Sequence, residues 1–384
     1  MIETGTLRVP DCPLGLYIHI PYCVRKCRYC DFCSFPVDGN GVPDAYVSAL
    51  CAQIRETGKA LDRPRADTVF FGGGTPTLLE AGQWLKIMEA LKASFAIAPD
   101  AEISTECNPA TAGLSDFEHL LSLGFNRLSL GIQSLSDNEL RLLGRIHSAK
   151  EAEETVRDAF HAGFTNVNAD LMFGIPGQTP DSFGETIEKT VSLGVSHVSA
   201  YALQVEPGTP FYEQAGQYVF PDDDETRDLY DLVTEKLRTF GIERYEISNF
   251  ARPGFECKHN LKYWRCDPYL GFGPSAHSLI GHIRFETAPD VHRFITGERG
   301  FALEEELTKE RLCDEALMLG LRLTSGADLD RISSLSGVDA RKRYETAIGL
   351  LERQGTIRRE GGNVRILPEF LFTSNEILVS LLPD

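Results

Sequence analysis

Three cysteines lie close together near the start of the chain, at Cys23, Cys27 and Cys30. Their spacing, C-x3-C-x2-C, follows an apolar run that ends at Pro21, so a loop leaving a strand carries all three thiols. Structural zinc usually takes four ligands, and disulfide frameworks are typical of small secreted chains. Three thiolates from one loop are suited to a cubane iron–sulfur cluster with one iron left without a protein ligand. A zinc knuckle and unpaired buried cysteines are the alternatives.

Polar groups follow several predicted strands, where parallel α/β barrels bind their ligands. The stretch Gly72–Pro76 comes directly after an apolar strand, and its glycines allow a backbone to approach a ligand closely. Glu106 closes the next strand and Gln133 ends another. Asp170 is a charge in a strand that otherwise has the pattern of a buried one, so it needs a partner. Each residue taken alone also fits a satisfied structural polar group, but together they predict a ligand site.

A repeating order of strand and helix predicts the elements that position these residues. Six such units fit between residue 12 and about residue 250. Short apolar strands that alternate with amphipathic helices indicate parallel βαβ units. We therefore predict an α/β fold, a partial (β/α)6 TIM-like barrel that occupies residues 1–250.

The pattern changes after residue 250. Residues 251–300 are predicted to be a connecting segment, because much of this stretch is rich in aromatic residues and glycine and shows little periodicity. Helical patterns return in residues 301–384 and precede a hairpin that turns at Gly361-Gly362. This predicts a small C-terminal helical, winged-helix-like domain. Its predicted role is packing, since the chain is acidic and the domain has no basic recognition helix.

Charge and hydropathy limit the possible functions. The formal net charge of -18 argues against nucleic-acid binding as the main activity, since that needs a basic surface. No apolar run is long enough to cross a membrane, and the first residues do not form a signal-peptide pattern. The cysteines favour a reducing compartment, so we expect a cytoplasmic protein.

Several of these motifs together resemble the oxygen-independent coproporphyrinogen III oxidase family of radical S-adenosylmethionine (SAM) proteins. The resemblance rests on Tyr17-Ile18-His19-Ile20-Pro21, the cysteine spacing, Gly72–Thr77, Gly131–Ser134 and the stretch 170–178. It implies a [4Fe–4S] cluster on Cys23, Cys27 and Cys30. It also implies SAM contacts, which carry over to Tyr17, Gly73, Gly74, Thr75, Glu106, Gln133, Arg145 and Asp170.

Two departures separate this chain from the oxidases of that family. The oxidases have a fourth cysteine where this sequence has Phe32, and they have a longer N-terminal extension than the short lead before Leu16. Both departures resemble the family's heme chaperone branch. Cys33 fits neither pattern, and no role is assigned to it.

A second motif, His259-Asn260-Leu261-Lys262-Tyr263-Trp264, matches the H-N-x-x-Y-W pattern of that branch. Histidine is a common axial ligand of heme iron, and aromatic rings offer flat apolar surface to a macrocycle. The resemblance therefore implies heme contacts at His259, Tyr263 and Trp264. The alternative is a structural corner that joins the barrel to the C-terminal domain.

Two functions follow from the sequence. The first is a heme chaperone that binds heme, a [4Fe–4S] cluster and SAM and passes heme to acceptor hemoproteins, with peripheral contact to any that are membrane-bound. The second is a radical SAM oxidoreductase of the coproporphyrinogen III dehydrogenase type, acting on a porphyrin-like substrate. Both require an electron donor for the cluster. The missing fourth cysteine, the short N-terminus and the His259 motif favour the chaperone.

Overall fold

The structure is a computed structural model that describes residues 12–37, 39 and 41–382. Its strands, numbered in chain order, are β1 (Leu14–Ile20), β2 (Tyr22–Cys23), β3 (Phe35–Pro36), β4 (Arg65–Gly73), β5 (Ala96–Cys107), β6 (Arg127–Gln133), β7 (Val167–Phe173), β8 (His197–Ala202), β9 (Glu243–Arg244), β10 (Asn249–Ala251), β11 (Tyr269–Phe272), β12 (His277–Ile280), β13 (Ile283–Thr287), β14 (Phe301–Glu306), β15 (Ala327–Asp328), β16 (Ile357–Glu360) and β17 (Asn363–Ile366).

The α-helices are numbered in the same way. They are α1 (Asp44–Ala60), α2 (Ala81–Ser94), α3 (Leu114–Leu123), α4 (Asp137–Leu143), α5 (Ala149–Ala162), α6 (Pro180–Ser192), α7 (Pro210–Glu213), α8 (Asp223–Thr239), α9 (Lys258–Trp264), α10 (Val291–Ile295), α11 (Lys309–Gly320), α12 (Leu329–Ser336), α13 (Ala340–Gln354) and α14 (Ser374–Leu381).

One 12-stranded sheet forms the body of the protein, in the order β14-β13-β12-β11-β1-β4-β5-β6-β7-β8-β10-β9. Neighbours from β1 through β4, β5, β6, β7 and β8 are all parallel, and helices connect them. The predicted partial (β/α)6 barrel is therefore confirmed. The antiparallel strands β10 and β9 follow β8 at one edge of the sheet.

Side chains along the parallel strands alternate between an apolar outer face and a more polar inner face, as the two-residue period of a strand requires. In β1, Leu16 and Ile18 belong to the main hydrophobic core, whereas Tyr17 between them borders a central cavity. In β6, Leu128 and Leu130 belong to that core and Ser129 borders the cavity. This alternation gives the sheet a polar interior, which a packed hydrophobic barrel does not have.

The segment 251–300 contains more regular structure than the sequence pattern predicts. It holds α9, α10 and three strands of the main sheet, and β11 pairs with β1 in parallel. The sequence pattern of these strands is weak because each has only four or five residues. Gly271 allows the close approach of β12, since a Cβ atom there would lie 2.2 Å from the carbonyl oxygen of His277.

The C-terminal part has a second hydrophobic core, formed mainly by α11, α12, α13 and α14. A three-stranded sheet in the order β15-β17-β16 packs beside these helices. Its hairpin turns between Glu360 and Asn363, so the predicted turn at Gly361-Gly362 is confirmed. The predicted domain boundaries at residues 250 and 300 stay a prediction.

Among the described residues, no helix combines the length and apolar character needed to cross a membrane. The first eleven residues, on which the prediction about a signal peptide rests, lie outside the described residues, as do residues 383 and 384 at the end of the C-terminal domain.

Candidate functional site

A cavity of about 630 Å³ opens at the carboxyl ends of the parallel strands, in the polar interior of the sheet. Its lining brings together the three cysteines of the loop and all eight residues that the resemblance assigns to SAM. These residues are Tyr17, Cys23, Cys27, Cys30, Gly73, Gly74, Thr75, Glu106, Gln133, Arg145 and Asp170. The pattern of strand-end residues thus predicted a single site. Their roles as ligands stay predictions.

The cysteine loop is held in place from outside the cavity. The backbone N–H of Arg28 donates to the carbonyl oxygen of Leu143 at 3.1 Å, and Phe211 N–H donates to the carbonyl oxygen of Arg28 at 3.0 Å. The Arg28 guanidinium also lies over the rings of Phe211 and Tyr218, 5.5 and 5.7 Å from their centroids. These contacts fix the loop between the end of α4 and the helix α7.

The three thiols are free. Burial raises the pKa of the Cys23 and Cys30 thiols, and nearby cysteines raise it further. Thiols of this kind are protonated at neutral pH until a metal centre binds and displaces the protons. No group of three His, Cys, Asp or Glu in the described part of the chain is arranged around a single metal ion. A cubane cluster instead takes one thiolate on each of three irons.

Two side chains donate hydrogen bonds to the cysteine sulfurs. Thr75 Oγ1 donates to Cys23 Sγ at 3.6 Å, and Arg145 Nη1 donates to Cys27 Sγ at 3.3 Å. The other terminal nitrogen of Arg145 donates to Asn108 Oδ1 and, at 2.7 Å, to the Gly131 carbonyl oxygen. Both terminal nitrogens of Arg145 are therefore engaged. Arg145 acts here as a positioning residue for the cysteine loop, and hydrogen bonds to sulfur tune iron–sulfur clusters.

Gly73 and Glu106 meet at the cavity wall. The Gly73 N–H donates to Glu106 Oε2 at 3.1 Å. Gly73 has a φ of 110°, and a Cβ atom there would lie 2.5 Å from the His19 ring, so glycine is required. Burial, and then the charge of Asp170, raise the pKa of Glu106 to about 7. A carboxylate at this position is able to accept two hydroxyl hydrogens from a ligand.

Asp170 and Gln133 border the cavity from neighbouring strands. Asp170 accepts hydrogen bonds from Asn168 Nδ2 at 2.7 Å and from Ser129 Oγ, and burial raises its pKa. Gln133 has a φ of 66°, which is uncommon for a residue with a side chain and is typical of functional sites. Its amide makes no hydrogen bond within the described part of the chain. It is thus available to a ligand.

Tyr17 belongs to a hydrogen-bonded chain that reaches the cysteine loop. Its hydroxyl pairs with His19 Nδ1 at 3.0 Å, and His19 Nε2 lies 3.0 Å from the carbonyl oxygen of Cys33. Burial lowers the pKa of His19, so the ring is neutral at physiological pH and donates to Cys33 from Nε2. The first strand and the end of the loop are thereby tied together.

The H-N-x-x-Y-W motif forms α9, which lies at the floor of the cavity. Glu102 on β5 accepts the backbone N–H groups of Lys258 and His259, each at 3.0 Å, and so caps the helix. His259 and Tyr263 border the cavity, whereas Trp264 is partly exposed and is not among the lining residues. The motif also contacts β4 and α11, which joins the barrel to the C-terminal part.

Both ring nitrogens of His259 already have partners. Nδ1 lies 2.8 Å from Thr68 Oγ1, and Nε2 lies 2.8 Å from the Tyr263 hydroxyl. The ring stacks on Phe70 and is 1 % exposed. Burial, with the nearby Lys262 charge, lowers the pKa of His259 to about 3, so it is neutral. Iron ligation by His259 would require one of these hydrogen bonds to break. The contacts match those of the predicted structural corner.

Two residues that hold the site in place were not predicted from the sequence. Asn108 connects Thr75 to Arg145, because its Nδ2 donates to Thr75 Oγ1 at 2.7 Å while its Oδ1 accepts from Arg145. It follows β5 directly, so the strand-end signal that identified Glu106 applies to it as well. Arg28 fixes the loop through Phe211, and no local pattern connects these two positions.

Comparison with known proteins agrees with the fold. The model of the Radical SAM superfamily matches residues 17–190, and that of the HemN C-terminal domain matches residues 307–369. Coproporphyrinogen III oxidase (HemN) from Escherichia coli has the same fold, with a TM-score of 0.85 and 24% identity over 99% of this chain and 92% of that one. The protein is thus a member of the radical SAM superfamily.

Two similar proteins assign the chain to a more specific family. A protein named Heme chaperone HemW from Mycobacterium tuberculosis is 37% identical over 95% of this chain and 95% of its own length. The HemW of Bacillus subtilis is 35% identical over 96% of this chain and 99% of its own length. The chain belongs to the HemW family of heme chaperones.

Proposed function

We propose that this protein is a heme chaperone that binds heme and transfers it to acceptor hemoproteins in the cytoplasm. The observation that carries the proposal is the similarity to two HemW proteins across nearly the whole chain. Phe32, which borders the cavity, also supports the proposal. This ring stands where the oxidases have a fourth cysteine, and it is 63% exposed at the border of the cavity.

The residues of the cavity fit a [4Fe–4S] cluster and SAM. Cys23, Cys27 and Cys30 would hold the cluster, since they are free thiols on one loop and two of them accept hydrogen bonds at sulfur. When bound, the cluster supplies the electron for reductive chemistry on SAM. An electron donor is therefore a further proposed partner.

The chain's own side chains would position SAM. Glu106 and Asp170 offer acceptors for hydroxyl or amino groups, and the Gln133 amide offers both a donor and an acceptor. Gly73, Gly74 and Thr75 bring backbone close to the ligand. Arg145 would act mainly through Cys27, and Tyr17 would close one wall of the cavity.

The heme contacts are a separate proposal. His259, Tyr263 and Trp264 match the sequence motif of the family, and two of them border the cavity. The hydrogen bonds of His259 to Thr68 and Tyr263 weigh against iron ligation in this conformation.

A radical SAM enzyme of the coproporphyrinogen III dehydrogenase type is the second candidate function. It is favoured by the cavity, which keeps eight polar or glycine residues of the SAM pattern around a volume of about 630 Å³. The proposed chaperone also binds SAM in this cavity, so the two functions differ in turnover and not in the site.

One anaerobic experiment separates the two functions. The reconstituted protein is incubated with a reductant, SAM and coproporphyrinogen III, and protoporphyrinogen IX is measured, while a second sample is titrated with hemin. The chaperone proposal predicts hemin binding without turnover. Protoporphyrinogen IX in catalytic amounts would support the enzyme and contradict the chaperone.

A further inference from the structure

The nine histidines of the chain differ in how many of their ring nitrogens have a hydrogen-bond or ion-pair partner. Three buried ones have partners at both nitrogens: His19, His197 and His259. Four others have one ring nitrogen that pairs with a carbonyl oxygen or a carboxylate: His119, His147, His277 and His282. Within the described part of the chain, two histidines make no side-chain hydrogen bond or ion pair, and both are exposed: His161 and His292.

His292 is the one of these two that lies in a groove. The groove has a volume of about 460 Å³ and is bordered by Tyr22, Phe35, Pro289, Asp290, Val291 and His292. Phe35 is 44 % exposed, so much of its ring is presented to solvent. The Asp290 carboxylate is already engaged, because it accepts the backbone N–H of Arg293 at 3.0 Å. An imidazole with free nitrogens supplies an axial ligand for heme iron, and the neighbouring apolar surface supplies a contact for the macrocycle.

The groove lies against the cysteine loop. Tyr22 and Cys23 form β2, which pairs with Phe35 and Pro36 of β3. Tyr22 and Phe35 border the groove, whereas Cys23 borders the central cavity. A two-stranded ribbon therefore separates the two sites.

A cationic side chain lies next to His292 in the sequence, although it is not among the residues that border the groove. Arg293 follows His292 on α10, and its guanidinium is 61% exposed. Its partner Glu298 is similarly exposed at 3.3 Å, and exposed ion pairs of this kind contribute about 0–1 kcal/mol. Breaking this ion pair therefore costs little, which leaves the guanidinium available to a carboxylate within its reach.

We propose that heme binds in this groove, with His292 as an axial ligand of the iron and Phe35 against the macrocycle. The proposal rests on the proposed function, that this protein binds heme, and it names the site. It gives His259 a structural role at the floor of the cavity. Heme at an open groove is accessible to an acceptor protein, as transfer requires.

The test is a hemin titration of the full-length protein, followed by the Soret absorption. His292→Gly is expected to weaken hemin binding at least tenfold and to change the spectrum, and added imidazole is expected to restore the wild-type spectrum. His161→Gly is the matched control, because that histidine is exposed but borders none of the described cavities. It is expected to bind hemin as the wild type does.

The outcomes distinguish the site from the function. If the wild type binds hemin and His292→Gly binds it equally well, the proposed site is wrong and the chaperone function is unaffected. If a folded His259→Gln variant loses hemin binding, the iron ligand is His259 of the motif on α9. If hemin binding is lost only in Cys33→Ser, the iron ligand is the Cys33 thiol. Failure of the wild type to bind hemin contradicts the proposed function, and the site with it.

Discussion

Arg28 places its guanidinium 5.5 Å from the ring centroid of Phe211, and this contact joins the cysteine loop to α7. The two residues also share a backbone hydrogen bond, from Phe211 N–H to the Arg28 carbonyl oxygen. The loop that would carry the cluster is thus ordered by a part of the chain far away in sequence. This arrangement leads to a first prediction.

Arg28→Ala is expected to weaken retention of the cluster several-fold while the fold persists. The substitution removes a cation–π contact of about 0.5–2 kcal/mol and leaves the backbone bonds in place, so the loop becomes less well ordered. Iron and acid-labile sulfide per chain, measured after reconstitution and gel filtration, check this. Lys26→Ala is the control, because the Lys26 ammonium on the same loop is exposed and donates to the Phe32 carbonyl oxygen. Equal iron content in both variants would contradict the role of Arg28.

Arg145→Met is expected to lower the reduction potential of the cluster by on the order of tens of millivolts, since a charged donor to sulfur stabilises the reduced, more negative state. The bond concerned joins Arg145 Nη1 to Cys27 Sγ. A redox titration followed by electron paramagnetic resonance measures the potential. Arg141→Met on the exposed face of α4 should leave it unchanged. A potential that rises in Arg145→Met would refute the assignment.

Glu106→Gln is expected to change how stability depends on pH. The pKa of Glu106 is about 7 in the folded protein, above the ordinary value of 4.5. A raised carboxyl pKa contributes stability that is present below pH 4.5 and is lost as the pH rises through 7. The glutamine variant should therefore be more stable than the wild type at pH 8, by on the order of 3 kcal/mol, and this difference should shrink at pH 5.

Urea unfolding at the two pH values measures this difference, and SAM binding at pH 8 should be weaker in the same variant. Glu118→Gln on the exposed side of α3 is the control for both measurements. A stability difference that grows at pH 5 would show that the pKa of Glu106 is not raised.

His259→Ala is expected to destabilise the protein by about 2–4 kcal/mol, because it leaves a cavity and deprives two buried hydroxyl groups of their partner. Those hydroxyls belong to Thr68 and Tyr263. Urea unfolding of this variant and of the exposed-site variant His161→Ala provides the comparison. Similar stability of the two variants would mean that His259 does not act as a structural residue.

The sequence predicts the barrel and its cavity well because both depend on local periodicity. Alternating residues such as Leu16 and Tyr17 identify the strands and their inner faces, and strand ends identify Glu106, Gln133 and Asp170. The contacts of Arg28 with Phe211 and the pairing of β11 with β1 depend on tertiary packing. No pattern in the sequence reports them. Tertiary packing also places Trp264 outside the cavity lining, which the sequence pattern does not indicate.

The ribbon of β2 and β3 has a thermodynamic consequence. Tyr22 and Cys23 are adjacent on β2, and successive residues of a strand point to opposite faces. If heme in the proposed groove displaces this ribbon, it would also shift the first cysteine of the loop, and a cluster held by that cysteine would in turn reshape the groove. Linkage makes such an effect reciprocal, so the factor by which a bound cluster changes heme affinity equals the factor by which heme changes cluster affinity. Loading and release of the two cofactors would then be parts of one equilibrium.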